Sequence, residues 1–273
     1  MFGIIMLFGL SVFAYHSNKR IIYLEEKMVN LSKEQSNLKK ELAILSKTIN
    51  SYHNDEAERF KLSCTKEKYN FLVLGNSITK HGKCDYWWGE YGMAATKEER
   101  DYVHQLSQMF VSGGVKPNYY ALNFAQWEQL NNDRAQAIGL IRPWVNSNLD
   151  LIIIQLGENV SSLDTFEADL DELLVNIKQQ ATKAEIVLVG DFWINEKRNN
   201  IKREIADRQN LIFIDLAEIA DNKDYMCGLN ASVMGDDGNN HIVQHNGVAN
   251  HPNDIAMLYI AKRIIKELNP VHK

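Results

Sequence analysis

From Tyr69 to the C-terminus, short runs rich in Val, Ile and Leu alternate with longer segments whose apolar residues return every three or four positions. Five runs read as buried strands, at 69–74, 119–123, 149–155, 185–190 and 211–215. Between them, Tyr102, Val103, Leu106, Met109 and Phe110 mark one helical face, with Thr96 and Glu99 ahead of it at capping-box spacing. Leu163, Phe166, Leu170, Leu173, Leu174 and Ile177 mark a second. A last helix starts near Asp254 and is expected to bury Ile255, Leu258, Ala261, Ile264, Ile265 and Leu268. Near-continuous apolar strands alternating with helices predict a parallel sheet covered on both faces, an α/β domain over residues 66–273.

The segment before Tyr69 follows different periods. Residues 1–15 carry no charge, and Asn18, Lys19 and Arg20 close the run. A bilayer core asks for about 20 apolar residues, with a lower limit near 17. No basic stretch precedes the run, so residues 1–18 read as an uncleaved membrane anchor rather than a signal peptide. Next, Leu24, Met28, Leu31, Gln35, Leu38, Leu42, Leu45 and Ile49 fall at alternating steps of four and three. This is the a/d seam of a coiled coil, with Lys and Glu at most outer positions. Residues 21–51 are therefore expected to form a self-associating stalk, roughly 40 Å long at about 1.5 Å per residue. Residues 52–65 lose the pattern and read as a linker.

Composition changes the picture only by exclusion. Of 273 residues, 45% are hydrophobic and 24% charged, an ordinary globular mixture. The net charge of −5 gives no basic face for nucleic acid. Three cysteines, Cys64, Cys84 and Cys227, form no CxxC pair, which excludes a disulfide scaffold and a zinc ribbon.

In parallel sheets ligands bind beyond the carboxyl ends of the strands, so the residues that follow each strand are the informative ones. They are Gly75-Asn76-Ser77-Ile78-Thr79, then Asn123-Phe124-Ala125-Gln126-Trp127-Glu128, then Gly157-Glu158-Asn159, then Asp191-Phe192-Trp193. His251-Pro252-Asn253-Asp254 precedes the last helix. A hydroxyl, side-chain amides and an imidazole thus converge on one sheet edge, the equipment of acyl transfer. Each piece alone is also what a polar turn or a helix start looks like; their joint order gives the pattern its weight.

In these blocks the chain resembles the SGNH (GDSL-like) hydrolases, over about residues 69–268. Gly75-Asn76-Ser77 stands for the usual Gly-Asp-Ser, Asn123-Phe124-Ala125 for Asn-x-Gly, Gly157-Glu158-Asn159 for Gly-x-Asn, and His251-Pro252-Asn253-Asp254 for the closing block. The stretch 88–96 is similar to an insertion in one bacterial branch. The resemblance implies a flavodoxin-like three-layer α/β/α fold and a serine esterase. Ser77 would be the nucleophile and His251 the base. The Ser77 N–H, the Ala125 N–H and the Asn159 side-chain amide would form the oxyanion hole. No metal or other cofactor is needed. Two positions depart from the family pattern: Ala125 replaces a glycine, and Val248 stands where an acid usually orients the histidine. A backbone carbonyl, Asp236, Asp237 or another acid would then orient His251.

The aromatic residues Trp87, Trp88, Tyr91, Trp127 and Trp193 offer sugar-stacking surfaces if they line the site, with Trp88, Trp127 and Trp193 the expected substrate contacts. An O-acetylated glycan or related envelope substrate is the expected acyl donor, and a homo-oligomer through the coiled coil the expected assembly. Seven Lys/Arg between Lys19 and Lys47 would by the positive-inside rule hold the domain in the cytoplasm. Anchored relatives of this kind face outward, and an extracytoplasmic domain is the expectation adopted. Two rival readings stand beside the esterase. One is an inactive membrane-tethered scaffold, motivated by Asn76, Ala125 and Val248. The other is a metal site of His241, His245 and His251.

Overall fold

The computed structural model describes residues 2–268; within that span the side chains of 2–18, 21–22, 25–26, 43–52 and 132 lie outside the description. The chain divides into two compact units, Met1–Glu56 and Ala57–Lys273.

The first unit is helical, part of α1 (Phe2–Ser63). Among its described side chains, the seam residues Leu24, Met28, Leu31, Leu38 and Leu42 are all 50–70% exposed. Leu45, Ile49 and the apolar run 1–15 fall on side chains outside the description. Among the described residues no helix is long and apolar enough to cross a membrane.

The second unit begins earlier than the sequence pattern suggested. Residues 57–63 are the end of α1, and Ala57, Phe60 and Cys64 are buried in the domain core. The expected linker 52–65 is instead helical as far as Ser63, and from Ala57 on this helix end is packed into the domain core. Three apolar residues at steps of three and four were too few to stand out among polar neighbours.

The domain is an α/β fold around a parallel sheet of five strands in the order β2-β1-β3-β4-β5. The strands are β1 (Tyr69–Gly75), β2 (Pro117–Asn123), β3 (Leu151–Gln155), β4 (Glu185–Val189) and β5 (Ile212–Ile214). Each lies within two residues of its expected position, and the order is the flavodoxin-like one. Side chains alternate across the sheet. Leu72, Leu74, Ile152, Ile154, Ile186 and Leu188 face one layer. That layer holds the end of α1, α4 (Arg134–Ile141), α5 (Phe166–Gln180) and α6 (Glu196–Gln209). Phe71, Val73, Ile153, Val187 and Val189 face the other, built on α2 (Tyr102–Ser112) and α8 (Asp254–Glu267). On α8, Ala261 and Ile264 are buried as expected, but Ile255 is exposed and Ala256 and Met257 face the sheet in its place.

The expected capping box does not form. Asp101 caps α2 by accepting from the His104 N–H at 2.8 Å. Thr96 instead donates its N–H and hydroxyl to Asp254 at the start of α8, at 2.7 and 2.6 Å. This long-range tie docks the segment before α2 onto the last helix, an alternative that local spacing cannot reveal.

A third, smaller core lies apart from the sheet. Trp87, Tyr91, Met93, Ala94 and Ala95 pack there with Val233, Val243, Val248 and Ala249. It joins the insertion after β1 to a hairpin of β6 (Ser232–Met234) and β7 (Asn240–Ile242) and to the single turn α7 (Asn246–Ala249). The insertion is also fastened to the turn after β1, since the Met93 N–H donates to the Ser77 carbonyl at 2.8 Å.

Candidate active site

The turn after β1 carries Ser77. A Cβ on Gly75 would lie 1.9 Å from Thr79 Oγ1, so the turn closes only over glycine. Ser77 Oγ lies 2.7 Å from His251 Nε2, across 174 residues of sequence. His251 Nδ1 lies 2.6 Å from the Gly247 carbonyl oxygen. A carbonyl only accepts, so the imidazole proton sits on Nδ1, and Nε2 is left to accept the Ser77 hydroxyl proton.

Of the orienting groups expected for His251, the backbone carbonyl is the one observed. Asp236 pairs with Lys83 at 3.3 Å, and Asp237 with His241 at 3.0 Å. Val248 is fully buried in the third core. Its side chain anchors α7, and α7 presents the carbonyl that holds the ring. Burial pushes the His251 pKa down to about 4; the neighbouring His81 and His245 push the same way, and the Gly247 hydrogen bond opposes them. The imidazole is therefore held neutral near pH 7, the state a general base would need.

The three expected oxyanion donors differ in their occupation. Among the described residues the Ser77 N–H has no protein acceptor. Ala125 opens α3 (Ala125–Gln129) and is not left-handed, so alanine fits the backbone there without strain. Its N–H, however, donates to Asn123 Oδ1 at 3.0 Å, which takes up the donor the sequence assigned to the hole. Asn159 Nδ2 donates to Glu128 Oε2 at 2.6 Å, and an amide nitrogen has a second hydrogen left over.

Beneath Ser77 lies a largely buried polar layer that the sequence reading did not assign. Asn76 is fully buried, and its Nδ2 donates to Glu158 Oε2 at 2.8 Å and to Glu128 Oε1 at 3.3 Å. The amide at the place of the usual aspartate thus sits between two carboxylates, where a third acid would be repelled. Glu158 also accepts from the Phe192 N–H at 2.7 Å and from Gln155. Burial, then the neighbouring Asp191, raises the Glu158 pKa to about 7, against Lys202 and the bonds from Asn76 and Phe192. Asp191 itself holds Arg198 at 2.7 Å and Lys202 at 2.8 Å, all three buried. Gly157 turns with φ of +131°, and a Cβ there would meet Lys202 Cε at 2.9 Å, so only glycine passes over this ion cluster.

The aromatic expectations divide. Trp193 stands edge-on to His251, with ring centroids 4.9 Å apart, and donates its Nε1–H to the Asn250 carbonyl. Trp88 is half-buried and stacks on His241 at 4.4 Å. Trp127 is fully buried, packed against Phe166 and under the Arg134 guanidinium at 5.5 Å. Trp127 is core and not a substrate contact, because α3 turns that face inward. The three histidines of the rival metal reading have separate partners: His241 meets Asp237 and Trp88, His245 stacks on Tyr86 at 4.2 Å, and His251 meets Ser77. Among the described residues no group of three His, Cys, Asp or Glu is arranged to hold a metal.

No protein-family model matches the chain, and no curated protein matches it in sequence. Solved structures do share its trace. It is similar to the extracellular lipase from Streptomyces rimosus, at 15% identity over 75% of this chain and 100% of that one, with a TM-score of 0.47. A phospholipase A1 from Streptomyces albidoflavus aligns at 13% identity over 74% and 98%, also with a TM-score of 0.47. A two-domain esterase active on acetylated mannans aligns at 19% identity over 74% of this chain and 48% of that one, with a TM-score of 0.47. At these values the likeness is one of fold only, and the chemistry has to come from this chain's own side chains.

Proposed function

We propose that the chain is a serine esterase of the SGNH type that removes acyl groups, acetyl foremost, from a glycan or related envelope substrate. One observation carries the reading: the Ser77 hydroxyl is 2.7 Å from an imidazole nitrogen whose partner nitrogen is held by the Gly247 carbonyl at 2.6 Å. In the reaction, Ser77 Oγ bonds to the ester carbonyl carbon as its proton passes to His251 Nε2. The Ser77 N–H and the free Asn159 amide hydrogen receive the developing oxyanion. His251 then returns the proton to the alcohol oxygen as the C–O bond breaks. Water then gives a proton to the same nitrogen as it bonds to the acyl carbon; the C–Oγ bond breaks, the carboxylic acid leaves and the proton returns from His251 Nε2 to Ser77 Oγ.

Trp193, partly exposed and edge-on to His251, supports a sugar-bearing alcohol as leaving group. Residues 1–18 as a single-pass anchor and 21–51 as a homo-oligomeric stalk would hold the domain at the outer side of a membrane, within reach of envelope polymers. The scaffold reading loses motive where its three positions have work: Asn76 separates two carboxylates, Ala125 is unstrained, and Val248 anchors α7.

The test uses the full chain purified in detergent, with p-nitrophenyl acetate and an acetylated xylan as substrates. Acetate release is expected from both. Ser77→Ala is expected to abolish it while leaving the melting temperature within a few degrees. Activity of Ser77→Ala within tenfold of the parent removes Ser77 as nucleophile, and an inactive parent removes the esterase reading.

A further inference from the structure

Glu128 is fully buried, lies three residues beyond the second sequence block, and has no part in the dyad. Its two oxygens accept four N–H groups. Oε1 takes the Gly157 N–H, the Asn159 N–H at 3.4 Å and Asn76 Nδ2 at 3.3 Å. Oε2 takes Asn159 Nδ2 at 2.6 Å. A buried carboxylate is costly unless every lone pair is used, and here the donors come almost entirely from the turn that carries Asn159.

We infer that Glu128 is the positioning residue of the oxyanion hole: it decides which end of the Asn159 amide faces the substrate. The inference rests on the esterase reading and deepens it. A primary amide fits its pocket in two orientations that differ by a flip, and shape barely distinguishes them. Chemistry does. A carboxylate can only accept, so the NH2 end must turn toward it, and one of its hydrogens is bound at 2.6 Å. The other hydrogen of the same nitrogen is thereby left for an oxyanion. In the flipped amide the carbonyl oxygen would face Glu128, and its lone pairs would stand where the hole needs a donor. The Gly157 and Asn159 N–H bonds to Oε1 hold the same turn in register, so one side chain fixes both the backbone and the amide that it carries.

Glu128→Gln separates this role from mere support. Glutamine keeps the shape and one acceptor oxygen, which can stay on the Gly157 N–H. Its NH2 group then faces Asn159 and favours the flipped amide. The expected result on p-nitrophenyl acetate is a loss of about 10²-fold in kcat with KM changed less than threefold, the size of losing one oxyanion donor. Asn159→Ala is expected to lose about 10²–10³-fold. Adding Glu128→Gln to Asn159→Ala is expected to cost less than threefold more, because the positioned group is gone. Glu128→Asp keeps an acceptor-only group and is expected to retain more activity than Glu128→Gln; it replaces Glu128→Gln in the cycle should that variant fail to fold, judged by circular dichroism. The inference is overturned by Glu128→Gln within threefold of the parent in kcat, by losses that multiply in the double variant, or by a loss confined to KM. In each of these cases the parent's own turnover leaves the esterase reading standing. A parent with no turnover overturns both.

Discussion

Acidification tests the dyad most directly, because the environment of His251 departs furthest from that of a free imidazole. Burial holds its pKa near 4, against an ordinary value of 6.5. At a pKa of about 4, about 90% of His251 is neutral at pH 5, whereas at 6.5 about 3% is. The ratio of kcat/KM at pH 5 to that at pH 7.5, on an ester that does not titrate, is therefore expected near 0.9 rather than near 0.03. The same shift is a stability statement. Between pH 6.5 and 4 the unfolded chain binds a proton at this residue and the folded chain does not, so stability falls as pH falls through that window. The full effect of 2.5 pH units is about 3 kcal/mol, or roughly 6–12 °C in melting temperature for a domain of this size. Glu158 works in the opposite sense: with its pKa raised to about 7, the folded chain holds a proton that the unfolded chain has lost above 4.5, and stability falls as pH rises from 4.5 to 7. The two slopes oppose each other, so the His251 share has to be read as the difference between the parent and His251→Gln at each pH. An acid limb of kcat/KM near 6.5, or a parent-minus-variant difference that is flat from pH 7 to 4, would refute the buried, carbonyl-held base.

Three further outcomes are expected. Asn76→Asp, which restores the usual acid of the first block, should destabilise the fold by about 3 kcal/mol or more, since it exchanges two hydrogen bonds to carboxylates for a third carboxylate. The loss should be smaller at pH 5 than at pH 8, and equal melting temperatures at both would contradict the arrangement. Trp127→Ala should cost about 3–5 kcal/mol of stability as a large core truncation; a stable protein with only a raised KM would return Trp127 to the substrate. Residues 21–273, without the apolar run, should be an oligomer by light scattering, and Leu38→Glu with Leu42→Glu should dissociate it. A monomer at tens of micromolar would rule out the seam.

How far the sequence reaches depends on the range of the physics involved. Strand runs and helical faces are local and periodic, so the five strands and the helices α2, α5 and α8 were legible within a residue or two, and the rule that ligands bind beyond strand ends gathered Ser77, Asn159, Trp193 and His251 at one edge. What the sequence could not supply were choices among partners far apart in the chain. Asp254 competes with the local cap for Thr96, and the tie to the last helix is the one that forms. Val248 reads as a missing acid until the third core is assembled; it then anchors the turn whose carbonyl does the acid's positioning work. Glu128 stood in plain view beside the second block but carried no signal, because its meaning lies in four N–H groups gathered from the two turns that follow β1 and β3. Trp127 shows the reverse error: an aromatic next to a motif is buried or exposed according to the rotation of a five-residue helix, and only the packed structure sets that rotation.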